Sequence, residues 1–159
     1  MVVDLTQADA MSLATKMVDQ FNRRDFDAMI AMGAGKIDYT DLSLGRHITD
    51  PDTFRAAMQA WVDAFSDIRG TVTSATCDGR LLGYEVRWEG THDGPLETPM
   101  GPIPPSGRHL SVPDAFFVVM EGERLVATRQ YGDTLTMLSQ IGAIPAQGAA
   151  AEPAPAARA

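Results

Sequence analysis

The spacing of apolar residues along the chain changes character once, at Gly70. Before that point they recur every three or four positions, which is the period of a helix with one buried face. Ala10, Leu13, Ala14, Met17, Val18 and Phe21 follow this spacing, and Thr6 with Asp9 forms a capping box in which Asp replaces Glu. A helix is predicted over about residues 7–23. Asp25 is placed to cap a second short helix carrying Phe26, Met29 and Ile30, which Gly33-Ala34-Gly35 ends. Residues 36–41 read as a short strand and 42–49 as a loop. Asp50-Pro51 then supplies an N-cap followed by proline at the first helical position, where no donor is lost. Phe54, Ala57, Met58, Trp61 and Phe65 give this third helix its apolar stripe.

After Gly70 the residues alternate as they do in strands. Strands are predicted over 71–77 and 81–91, joined at Asp78-Gly79, a hairpin signal. Residues 92–107 form a long loop with prolines at 95, 99, 102, 104 and 105. A strand over 108–120, bent at Pro113, turns at Glu121-Gly122 and returns over 125–131. Residues 133–141 read as a closing helix with Gly142 just beyond its end. From Ala146 onward the chain is rich in Ala and Pro and has no large apolar residue to bury, so 146–159 is expected to be a disordered tail on a 1–145 domain. Helices followed by antiparallel strands define an α+β architecture, with helices on one face of a sheet. A sheet curled over a helix leaves an open mouth, and such mouths hold ligands.

Composition narrows the function classes. Lys and Arg total 13 against 21 Asp and Glu, a net charge of −8, with no basic stripe to meet nucleic-acid phosphates. No apolar run approaches the ~20 residues of a membrane span. Met1-Val2-Val3-Asp4 lacks the basic and apolar regions of a signal peptide, and the single cysteine, Cys77, forms no internal disulfide; both fit a cytoplasmic protein. His47, His92 and His109 stand far apart, no HExxH or CxxC spacing occurs, and no glycine-rich phosphate loop follows a strand. No metal and no organic cofactor is expected.

The residues that carry chemistry are carboxylates beside apolar strands. Asp114 adjoins Ala115-Phe116-Phe117-Val118-Val119. A carboxylate there must be paired or protonated, and a raised pKa would suit a general acid, unless Asp114 faces water beside a proline bulge. Asp133 follows a strand and opens a helix, so it reads as an N-cap, a role compatible with a pocket acid. Tyr39 and Asp41 share one face of a short strand, so Asp41 faces a pocket if Tyr39 does; alternatively Asp41 starts an Asx turn. Arg129, Tyr131 and Asp133 share one parity, as do Trp88, Gly90 and His92, and one such set is expected to line the pocket. Tyr131 would then donate to an oxyanion. His92 is a base by its chemistry and a loop-ordering hydrogen bonder by its place at the start of the proline-rich stretch. Trp61 and Phe117 are expected to add apolar wall.

Several segments in order resemble the SnoaL-like polyketide cyclases, a branch of the nuclear-transport-factor-2-like superfamily. Residues 21–28 (FNRRDFDA) look like the family's helix-to-helix junction, and 61–67 (WVDAFSD) like its helix end. Residues 88–94 (WEGTHDG) are similar to W-x-G-T-H-x-G, and 105–108 (PSGR) to P-x-G-R. Tyr131-Gly132-Asp133 and 138–142 (LSQIG) resemble the Y-x-D and Q-L-G endings. The resemblance covers about residues 10–144. It implies a cone-shaped α+β barrel, with the N-terminal helices packed in a strongly curved, mostly antiparallel sheet around a deep pocket. It implies a homodimer joined through the sheet side and cofactor-independent ring closure of a small apolar polyketide-like substrate. In the aldol cyclases the Asp of Y-x-D is the acid/base, which points to Asp133. In ether-forming and epoxide-opening relatives two other carboxylates act, and their nearest matches are Asp41 and Asp114. Arg129 stands where the family usually has Trp; it reads either as a solvated strand residue or as a cation that would hold an anionic enolate or carboxylate. The reading from another class is a non-catalytic protein that binds an apolar ligand. Convergence of two ionisable groups in the pocket would favour the enzyme.

Overall fold

Each helix begins at a side chain able to accept its free N–H groups. In the computed structural model, which describes residues 5–146, the Asp9 carboxylate accepts from the Thr6 backbone N–H (3.1 Å) and hydroxyl (2.5 Å) as α1 (Gln7–Asn22) opens. Asp25 accepts from Ala28 N at the start of α2 (Phe26–Met32), and Asp50 from Thr53 N at the start of α3 (Pro51–Ala64). A short strand β1 (Tyr39–Asp41) precedes α3, as the sequence predicts. Residues 46–48, expected as loop, instead form β2 (Arg46–Ile48), paired antiparallel with β1. Three residues that carry Arg46 and His47 have too little apolar periodicity to announce a strand.

Four longer strands follow: β3 (Arg69–Asp78), β4 (Leu81–Thr91), β5 (His109–Glu121) and β6 (Arg124–Gly132), then α4 (Thr134–Gln140). The sheet order is β2-β1-β6-β5-β4-β3, antiparallel throughout except for β1 beside β6. Register between β4 and β5 runs unbroken through Pro113, opposite Arg87; the irregularity expected there falls between Val119 and Met120, against β6. The tail expected from residue 146 lies, from 147 on, outside the described residues.

One face of the sheet carries the core. From β5 it presents Leu110, Val112, Phe116, Val118 and Met120, alternating with more exposed residues. Two apolar clusters cover this face. Ala10, Ala14, Met17 and Val18 of α1 pack on Leu82, Tyr84, Val86 and Phe116. Phe54 and Met58 of α3 join Phe21, Tyr39, Leu110 and Met137. Trp88 packs against both clusters, and its ring leaves no room for a side chain at Gly70, where a Cβ would lie 2.5 Å from the indole.

The end of α3 is fastened to the proline-rich stretch by backbone contact. Asp93 N and Gly94 N both donate to Ala64 O at 3.1 Å. A Cβ on Gly94 would overlap the Asp63 carbonyl oxygen, which no rotamer change can relieve. Gly94→Ala should therefore destabilise the fold by about 3 kcal/mol in urea unfolding, the upper range for overpacking. A change within ~0.5 kcal/mol, typical of an unconstrained surface site, would show that this junction does not fix α3.

Candidate active site

Between the helices and the sheet lies a cavity of about 130 Å³. Its walls are mostly apolar: Met17 and Phe21 of α1, Phe54 and Trp61 of α3, and Trp88 and Phe116 of the sheet. Into this wall β5 and β6 bring a set of polar side chains. Asp114 faces inward, opposite Gly132 in register, and Gln130, opposite Phe116, faces inward beside it. Gln130 Nε2 donates to Asp114 Oδ2. The buried Tyr39 hydroxyl, arriving from β1, donates to Gln130 Oε1. The amide is thereby oriented, with its oxygen toward the phenol and its nitrogen toward the carboxyl.

Gly132 makes this packing possible. A Cβ there would stand 2.5 Å from Ser43 Oγ and 2.7 Å from Asp114 Oδ1. Its N–H donates to Ser43 Oγ at 2.6 Å. The residue between Tyr131 and Asp133 must be small because the Asp114 carboxyl lies against it.

Burial sets the protonation of this group. Loss of solvation is the largest effect on Asp114 and raises its pKa. The Gln130 hydrogen bond pulls it back, the Asp41 charge pushes it up, the Trp88 indole lowers it and the Asp133 charge raises it again, leaving it at about 7. Tyr39 is pushed far above its ordinary value, first by burial and then by the charges of Asp41 and Asp114, so it remains a donor. Asp133 behaves oppositely. It caps α4, accepts from Thr136 N at 3.0 Å, and is held below the usual carboxylate range by that bond, yet it borders the same cavity. Asp133 is exposed, so one carboxyl near neutrality lies in the apolar wall and one kept ionised borders the cavity from solvent.

Other residues expected at the site divide between its wall and elsewhere. Tyr39, Trp61 and Trp88 border the cavity. Asp41 is fully buried but is not part of the cavity wall. Its carboxylate accepts from Leu44 N (3.1 Å) and from Arg46 (3.0 Å), the Asx-turn arrangement with an ion pair added. The parity assigned to the last strand requires correction: Thr128 and Gln130 face inward, whereas Arg129 and Tyr131 lie on the outer face. There Tyr131 meets Phe117 edge-on at 5.9 Å, and the Arg129 guanidinium lies 6.0 Å from the Phe117 ring centre. Phe117 is thus outside the cavity as well.

His92 is buried but does not border the cavity. Its Nδ1 accepts from Ser106 N at 3.2 Å, its backbone N–H donates to Arg108 O, and burial depresses its pKa, so it stays neutral and ties both ends of the proline-rich stretch together. Gln130 and Gly132 were not singled out in the sequence. The available signal was the alternation of the last strand, which admitted two parities and so left Gln130 on either face.

The fold and site define a pocket-bearing α+β protein with a buried carboxyl poised near neutrality. The profile of the SnoaL-like polyketide cyclases matches residues 12–141, and the chain belongs to that family. No curated protein matches the sequence. Among solved structures, TsrD from Streptomyces laurentii superposes with a TM-score of 0.73 at 20% identity, over 89% of this chain and 100% of that one. AclR from Streptomyces galilaeus, a proposed hydroxylase, gives 0.71 at 19% identity, over 88% and 85% of the two chains. IdmH from Streptomyces antibioticus, a proposed polyketide cyclase, gives 0.69 at 21% identity, over 82% and 96%. At these identities the likeness establishes the fold alone.

The raised pKa of Asp114 has a consequence for stability. The unfolded chain releases this proton near pH 4, whereas the folded protein holds it to about 7. Stability contributed by the protonated carboxyl should be complete below about pH 4 and lost as pH rises to 7. Asp114→Asn should lack this component, so its stability relative to wild type should rise across that window in urea titrations. A pH-independent difference would place the Asp114 pKa at its ordinary value.

Proposed function

We propose that the protein is a cofactor-independent cyclase that closes a ring in a polyketide-like apolar intermediate, with Asp114 and Asp133 as its acid–base pair. The observation that carries this reading is the Asp114 carboxyl at about 7 in an apolar cavity that Asp133 also borders. A general acid works best with a pKa near the operating pH. Two carboxyls whose surroundings separate their pKa values supply one acid and one base at the same pH.

In an aldol closure, ionised Asp133 removes a proton from a carbon activated by a neighbouring carbonyl. That carbon bonds to a second carbonyl carbon of the same molecule. The carbonyl π electrons move to oxygen, which takes the proton from Asp114. The product is an isomer of the substrate, and exchange with solvent returns the proton from Asp133 and restores Asp114. Tyr39, through Gln130, holds the Asp114 carboxyl in place, and the apolar walls keep a flexible chain folded for attack. An ether-forming or epoxide-opening reaction through Asp41 and Asp114 is less well supported, since Arg46 and Leu44 N already engage Asp41. A purely ligand-binding role does not call for two ionisable groups in one cavity.

The test is ring closure of a linear poly-β-ketone ester, followed by NMR. Asp114→Asn should lower turnover roughly 100- to 10,000-fold without unfolding. Asp133→Asn, which keeps the cap, should also be strongly impaired. Tyr131→Phe, on the outer face, should remain near wild type. Wild-type turnover in the Asp114 variant would overturn the proposal.

A further inference from the structure

A second polar group borders the cavity, and its oxygen has no hydrogen-bond partner among the described residues. Gln20, near the end of α1, is 6% exposed and forms part of the cavity wall. Among the described residues its Oε1 is buried with no hydrogen-bond partner. Two other buried polar atoms share that state, Arg46 Nε and His92 Nε2, and neither residue borders the cavity. Gln20 is thus the one of these three residues that borders the cavity.

Its neighbours on the cavity wall are mostly apolar or aromatic. Met17, Val18 and Phe21 of the same helix border the cavity with it, and the adjoining sheet wall contributes Tyr84, Phe116 and Trp88. Tyr84 is stacked on Phe116 (10° between ring planes, 5.1 Å between centres). A buried carbonyl oxygen without a donor is costly, and a leucine of similar size would avoid that cost. Water or a ligand donor must supply the missing bond.

We infer that Gln20 is a substrate-recognition residue whose Oε1 accepts a hydrogen bond from a hydroxyl, phenolic or enolic, on an otherwise apolar ligand. This rests on the cavity being the site proposed above and adds a chemical requirement to it. A ligand matched to the cavity carries a hydroxyl that reaches the α1 wall, in addition to the oxygen that meets Asp114 on β5. A hydrocarbon of the same outline leaves Gln20 unsatisfied and binds less well, because a site built to bond a hydroxyl discriminates against its absence.

The test needs no turnover, so it is separate from the catalytic reading. Affinities of 2-naphthol and of 2-fluoronaphthalene, a near-isostere without the donor, are measured by calorimetry for wild type, Gln20→Leu and Asp114→Asn. Gln20→Leu should weaken 2-naphthol about 10-fold, the worth of one net hydrogen bond, and leave 2-fluoronaphthalene unchanged or tighter. Its unfolding midpoint should stay level or rise. Gln20→Met, with an unbranched outline, should behave alike and serves if leucine packs poorly.

A marked loss of stability in both Gln20 variants would make the amide a structural group and overturn the inference. It would also be overturned if wild type bound the two probes equally or bound neither, or if only Asp114→Asn weakened 2-naphthol. An active Asp114→Asn enzyme with the Gln20 discrimination intact would overturn the catalytic proposal alone.

Discussion

A carboxyl on the core face of an apolar sheet is the constraint around which this structure is arranged. Asp114 sits in a strand whose other inward residues are Leu110, Val112, Phe116, Val118 and Met120. Burying an ionised carboxylate among such groups is strongly unfavourable unless it is bonded, neutral, or both. Here it is both in part. Gln130 bonds it, and burial, against that bond, leaves its pKa at about 7. The group therefore changes charge near neutrality rather than being locked in either form.

The surrounding residues serve this balance in different ways. Tyr39 keeps its donor, because burial holds its phenol protonated, and it fixes the amide of Gln130 from behind. Gly132 yields the space into which the carboxyl packs. Arg46 answers the charge of Asp41, whose own field adds to the pressure on Asp114. Asp133 stays ionised because the first turn of α4 supplies it with an N–H. The two carboxyls thus differ by position: one is set among apolar side chains, the other is exposed at a helix start beside the cavity.

Most elements were legible in the sequence because each has a local cause. Capping residues mark the starts of α1, α2, α3 and α4, and the Asp78-Gly79 hairpin joins β3 to β4. The strand β2 and the parallel pairing of β1 with β6 were not legible, since both depend on partners distant in sequence. The same limit governs the site. Asp114 was visible as a carboxylate beside an apolar run. The face of β6 was not, because Arg-Gln-Tyr-Gly offers a polar residue at either parity. Choosing the parity of Tyr131 hid Gln130, and only the pairing of Phe116 with Gln130 decides between them. Gln20 was hidden for another reason: on a helix whose apolar stripe is already complete, one glutamine reads as solvent-facing.

Burial holds the Asp114 carboxyl near neutral pH at the wall of an apolar cavity. Carbon-detected NMR titration of protein labelled at the aspartate carboxyls measures this directly, with the Asp114 resonance assigned by its loss in the Asn variant. The account requires that resonance to titrate with a midpoint near 7, while Asp133 titrates below the ordinary aspartate range. A midpoint for Asp114 near 4, the value of a solvated aspartate, would contradict it.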